Sequence, residues 1–141
     1  SEMCIRDRFR LGLPFEMEKQ YAYARFSLQS GYTAMEYLLK HCPDITAVFA
    51  MSDLMALGAI RALNDHGLRV PQDISVSGYD GIALGRYSNP RLTTIRQNSE
   101  RLAQRGAEIL LNCIDNGSSA VHEVVPFELI EDESVAALPN H

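Results

Sequence analysis

The sequence predicts an α/β fold in which a largely parallel sheet is flanked by helices. Three observations carry this. Short apolar runs rich in β-branched residues alternate with segments of helical length. The run Ile45 to Met51, ITAVFAM, lacks polar alternation, as suits a strand covered on both faces. Strands separated by helix-length segments imply βαβ units, hence parallel pairing with right-handed crossovers.

The elements follow in order. Phe9 to Pro14, FRLGLP, reads as the tail of a helix ending near Gly12. Ala22 to Ser27 is expected to be a short strand, although Tyr21, Tyr23 and Phe26 do not fix its register. Ser27 or Ser30 caps the next helix, because a hydroxyl accepts from the orphan N–H groups of a first turn. Tyr32, Met35, Leu38 and Leu39 share one face of that helix, and Pro43 stops it. After the Ile45 to Met51 strand, Ser52 or Asp53 starts a helix with Met55, Ala59, Ala62 and Leu63 in one stripe. Gly67 is its left-handed stop.

A turn at Val70-Pro71-Gln72-Asp73 leads into a strand over Ile74 to Ser77, which runs out into a Gly78-Tyr79-Asp80-Gly81 turn. Leu92 to Gln97, LTTIRQ, is the next strand. Asn98 or Ser99 then caps a long helix whose buried side is expected to hold Leu102, Gly106, Ile109, Leu110 and Cys113. Val121 to Ile130 reads as a last strand, and Pro126 demotes it to an edge position or a bulge. The tail after Ser134 is expected to be loose.

Composition narrows the function. Hydrophobic residues make up 46% of the chain and charged residues 22%, the balance of a globular protein rather than a disordered one. The net charge of −5 excludes a generally basic nucleic-acid surface within these residues. No apolar run approaches the ~18 residues of a membrane span. The three cysteines, Cys4, Cys42 and Cys113, are odd in number and far apart, against a disulfide framework and for a reducing compartment.

In an open parallel sheet, ligands bind at the carboxyl ends of the strands. Ser52-Asp53, Asp80 and Gln97 are expected there, on one edge, where a carboxylate accepts hydroxyl protons and an amide both donates and accepts. Phe26 offers a flat apolar wall for a sugar ring or a base. Each has a plainer alternative. Asp53 reads as a helix-start residue before it reads as a contact. Ser52 is cap or contact, Phe26 is core or pocket, and Asp80 suits a turn through local hydrogen bonding alone. His41, His66 and His122 read as solvated residues or helix-end partners. The chain has no GxxxxGK[ST], GxGxxG or GxSxG signature, and His122-Glu123 lacks the second histidine of a zinc peptidase. Asn116-Gly117-Ser118 matches a glycosylation acceptor, without meaning in a reducing cytoplasm. No catalytic residue, metal or cofactor is expected.

The stretch ITAVFAMSDLMALGAIRALNDHGLRVPQDISVSGYDGI, followed by YSNPRLTTIRQ, resembles the C-terminal part of the LacI/GalR (lactose-repressor) family of bacterial transcription regulators. The likeness runs from about Gly12 to Ala136. MALGAIRAL is also shared with periplasmic sugar-binding proteins, whereas RVPQDISVSGYD and NPRLTTIRQ resemble the repressors.

The resemblance implies the periplasmic-binding-protein type 1 fold, incomplete here: two Rossmann-like lobes with an effector cleft between them. Residues 9–96 would belong to the C-terminal lobe, lacking its first strand. Residues 97–118 would be a crossing and a helix of the N-terminal lobe, residues 119–136 the return strand, and 137–141 a tail. Residues 1–8, SEMCIRDR, read as a non-native or disordered leader. The ligand contacts implied are Phe26, Ser52, Asp80 and Gln97, and the dimer contacts Leu57 and Tyr87, with core packing the alternative for Leu57. The function implied is a cytoplasmic regulator, sensing a sugar or related metabolite, dimeric, and reading operator DNA through an N-terminal helix-turn-helix outside these residues. The alternatives are a periplasmic sugar-binding protein of the same fold and, in another class, a small α/β enzyme or receiver using Asp80.

Overall fold

The computed structural model describes residues 12, 15–117 and 121–137. The expected leader over 1–8 lies outside them, as does the helix tail at 9–14 apart from Gly12. The elements are α1 (Met17–Gln20), α2 (Leu28–His41), β1 (Ala47–Phe49), α3 (Asp53–Asp65), β2 (Ser75–Asp80), a 3₁₀ turn (Ala83–Arg86), β3 (Thr93–Gln97), α4 (Ser99–Asn116) and β4 (Phe127–Ile130). The sheet order is β1-β2-β3-β4. β1 and β2 pair parallel, as do β2 and β3, while β4 runs antiparallel to β3. α3 is the crossover of a βαβ unit; residues 81–92, containing only the 3₁₀ turn, join β2 to β3.

The capping chemistry holds as read. The Ser27 hydroxyl accepts from the Ser30 N–H at 3.2 Å, and α2 ends before Pro43 with the Cys42 N–H bonded to the Leu38 carbonyl at 2.8 Å. Gly67 stands at φ 74° just past α3. His41 and His66 bond through Nδ1 to the carbonyls four residues back, at 2.7 and 2.8 Å, as helix-end partners do.

The core lies where α2 and α3 cross and cover β2. Met35 and Leu38 meet Ala56, Ala59, Ile60, Ala62 and Leu63 over Val76, with Ile74 and Leu92 beside them. The crossing is backbone on backbone. A Cβ at Gly31 would lie 2.2 Å from the Met55 carbonyl oxygen, and one at Gly58 would lie 2.1 Å from that of Leu28. Both helices are thus held closer than any side chain allows.

Four expectations are corrected. Residues 22–27 form no strand; they approach α2 as irregular chain, and Ser27 serves only as cap. β1 is an edge of this sheet and is not covered on both faces, with Ala47 and Phe49 exposed. α4 has no buried residue, and Leu102, Leu110, Leu111 and Ile114 all face outward. Of the residues expected on its buried side, Ile109 and Cys113 are half-buried.

The chain after β4 is anchored through Ser134, and beyond it Ala136 bonds to Ser75 through its N–H at 3.1 Å, so the tail expected to be loose is held at least that far; residues 138–141 lie outside the described residues. Ser134 is fully buried. Its hydroxyl donates to the Val76 carbonyl at 2.6 Å and accepts from the Thr93 N–H at 2.8 Å. Its own carbonyl takes the Val76 N–H at 2.8 Å. β3 pairs with β2 only from Ser77 onward, so the backbone groups of Val76 would otherwise lack partners. Arg91, bonded to Asp132 at 3.2 Å and Glu133 at 3.0 Å, holds the same segment from outside.

Substituting Gly58 by alanine should force the two helices apart and destabilise the protein by about 1–3 kcal/mol, read as a lower urea midpoint. An unchanged midpoint would contradict the close crossing.

Candidate functional site

The carboxyl ends of β1, β2 and β3 meet at one rim. Asp80 is the last residue of β2, opposite Arg96 in the β3 register, rather than part of a turn. Its φ is 117°, a sparsely populated conformation for any residue with a side chain. Gln97 ends β3 and donates from Nε2 to Asp80 Oδ1 at 3.3 Å. The two expected polar contacts are therefore in direct contact, both half-buried. Burial raises the Asp80 carboxyl above the ordinary carboxylate range, and the Asp53 charge raises it further; the Gln97 bond opposes both.

Ser52 lies at the end of β1 and acts as the α3 cap. Its hydroxyl accepts from the Met55 N–H at 3.3 Å, and the residue is only 2% exposed. It sits beneath the rim rather than on it. Phe26 is 70% exposed. It lines a groove of about 540 Å³ with Ala50, Met51 and Met55, which places it by the end of β1 and out of the core. That groove continues along the free edge of β1 and does not include Asp80 or Gln97.

Asp53 is the residue that sequence reasoning undervalued. It is fully buried at the first position of α3. Oδ2 accepts from the Ile82 N–H at 2.7 Å, and Oδ1 accepts from the Thr94 hydroxyl at 2.5 Å. Gly78, opposite Thr94 in the register, makes room: a Cβ there would lie 2.3 Å from Asp53 Oδ1. In the sequence Gly78 reads as the start of a turn; the structure places it inside β2, where a glycine marks close approach of another group.

Of the two expected dimer contacts, Tyr87 is 85% exposed, beside the exposed Leu84 of the 3₁₀ turn. Leu57 is half-buried and packs against the core. Among the described residues no three of His, Cys, Asp and Glu are grouped to hold a metal ion, and no helix is long and apolar enough to cross a membrane.

A mostly parallel sheet with polar side chains gathered at its strand ends has the form in which open α/β sheets bind ligands. Residues 9–135 match the periplasmic binding protein-like domain, and the chain belongs to that family, in its LacI/GalR line of effector-binding domains. It is 51% identical over 118 residues to the HTH-type transcriptional repressor PurR of Serratia proteamaculans, covering 81% of this chain and 34% of that protein. It is 43% identical over 105 residues to the HTH-type transcriptional regulator MalR of Clostridium butyricum, covering 74% of this chain and 31% of that one. The structure of the transcriptional regulator CelR in complex with cellobiose superposes with a TM-score of 0.85 at 35% identity, over 92% of this chain and 39% of that chain. The chain thus spans about a third of the length of the curated relatives it matches.

The raised Asp80 carboxyl has a consequence for stability. The folded protein holds this proton more tightly than the unfolded chain does, so stability falls as pH rises from the ordinary carboxylate range through the raised value. Asp80→Asn removes that dependence, and asparagine tolerates positive φ. The variant should therefore melt no lower than wild type at pH 7, with a flatter pH profile. A lower melting temperature at neutral pH would refute the assignment of Asp80 as a stability-costly functional acid.

Proposed function

We propose that this chain is the effector-sensing and dimerising part of a cytoplasmic DNA-binding transcriptional regulator, a repressor, whose ligand is a small polar molecule of the sugar class. The observation that carries this is the Asp80–Gln97 pair at the outward rim of the sheet. Asp80 accepts hydroxyl protons, Gln97 completes the polar grip, and Phe26 stacks on the ring face. Ser52 closes the site from beneath. That CelR holds cellobiose supports the ligand class. The helix-turn-helix regulators among the relatives favour this reading over a periplasmic transport protein. An enzyme or receiver finds no support among the relatives, which are helix-turn-helix transcriptional regulators.

The lobe assignment belongs to the same proposal. Residues up to Arg96 form the C-terminal lobe, α4 packs on the N-terminal lobe, and β4 returns. The exposed apolar side of α4 supports it. So does the antiparallel β3–β4 pair, in which Gln97 lies opposite Phe127 and the outgoing and returning chains leave the sheet side by side. Ligand held between lobes favours one lobe orientation, changes the spacing of two DNA-reading headpieces in a homodimer, and so alters operator affinity. It does so only by its differential affinity for the two states. The exposed Tyr87 and Leu84 offer the dimer face, with Leu57, half-buried against the core, as the second contact expected there.

In the full-length regulator, Asp80→Ala should abolish release from operator DNA by cellobiose or ribose, whichever acts on wild type, while operator binding without ligand is unchanged. Measured by fluorescence anisotropy, an intact response in that variant would refute the site.

A further inference from the structure

Asp53 does more than begin a helix. Capping of α3 is already supplied by Ser52. A first-turn carboxylate that only complements the helix dipole does so from the surface. Asp53 is instead fully buried, and both of its oxygens serve other elements. One takes the N–H of Ile82, two residues beyond Asp80. The other takes the hydroxyl of Thr94 in β3.

Immediately before the first of those anchors lies the least relaxed stretch of backbone at the rim. Asp80 holds φ 117° and Gly81 holds φ 73°. A Cβ at Gly81 would lie 2.5 Å from the Cβ of Arg96, so this turn is pressed against β3. A residue persists in such a conformation only when its surroundings over-determine it. The bond from the Ile82 N–H to Asp53 is a buried determinant immediately after the turn.

We propose that Asp53 is the positioning residue of the site. From the start of α3 it fixes the Asp80–Gly81–Ile82 turn relative to β3, and so aims the Asp80 carboxylate at the rim beside Gln97 without touching the ligand itself. This rests on the reading of Asp80 as the ligand's acceptor. It adds that the α3 N-terminus and the two strand ends move as one unit, so that displacement of any of them unsettles the acid.

The test uses three variants of the full-length regulator. Asp53→Ala removes both acceptors. Asp53→Asn keeps the shape, with its carbonyl on Ile82 and its amide donating to the Thr94 oxygen. Thr94→Val removes one donor at nearly constant volume. Amide hydrogen exchange is read at residues 80–83 and, as an internal reference, within α3 at Ala59–Leu63. Asp53→Ala should lose protection at Ile82 by about tenfold or more, the size of one lost hydrogen bond, with the α3 reference unchanged. Asp53→Asn should restore it to within about threefold. Thr94→Val should fall between them. If Asp53→Ala fails to fold, the other two variants decide.

Calorimetric affinity for cellobiose should follow the same order where wild type takes it up. A wild type indifferent to cellobiose bears on the ligand class alone, and the exchange ranking still decides the role of Asp53. The proposal is overturned if Ile82 protection is indifferent to Asp53→Ala. It is equally overturned if Asp53→Asn and Thr94→Val fold as wild type yet neither restores nor grades that protection, or if cellobiose affinity is unmoved while Ile82 is deprotected.

Discussion

A carboxylate buried between two strands and a helix constrains this molecule more than any other interaction. Asp53 has no solvent to fall back on, so its oxygens must find donors in the protein. They find them in the Ile82 backbone and the Thr94 side chain, and only because Gly78 leaves the path open. Three elements that are distant in sequence therefore share one point. The parallel pairing of β2 with β3 brings Asp80 and Gln97 together a few residues from that point.

The core beneath it is built by close approach rather than by bulk. Two glycines let α2 and α3 touch backbone to backbone, and small residues such as Ala56, Ala59 and Ala62 fill the space below. The tightest packing thus lies directly under the helix start that carries Ser52 and Asp53. On the other side of the sheet the edges are open. Phe49 on β1 and Phe127 and Leu129 on β4 are exposed, and α4 turns its leucines outward. Contiguous exposed apolar surface of this kind marks places where proteins meet a partner.

Polar satisfaction also explains the end of the described chain. β3 begins too late to pair with Val76, and Ser134 supplies what the ladder lacks through its hydroxyl and its own backbone. Arg91 with Asp132 and Glu133 keeps that insertion in register from the exposed side. Such surface pairs contribute little by themselves; here they flank a buried bond that depends on local alignment.

The sequence by itself determined what short-range chemistry decides. Ser27, Ser52 and Asn98 cap helices because hydroxyl and amide oxygens meet first-turn N–H groups, and Pro43 and Gly67 end helices for equally local reasons. The alternation of strands and helices, and the placing of Asp80 and Gln97 at one edge, were legible in the same way. Whatever depends on partners far along the chain was not. Residues 22–27 have strand-like composition but face the free edge of β1 across a groove instead of pairing with it. α4 has the pattern of a packed helix, yet none of its residues is fully buried. Asp53 looked like an ordinary helix start, and Ser134 like the beginning of a loose tail, because burial and hydrogen bonding across 41 and 58 positions leave no periodic mark. Only the folded chain brings those donors and acceptors within reach of one another, and a buried polar group takes its role from what surrounds it in space rather than from its neighbours in sequence.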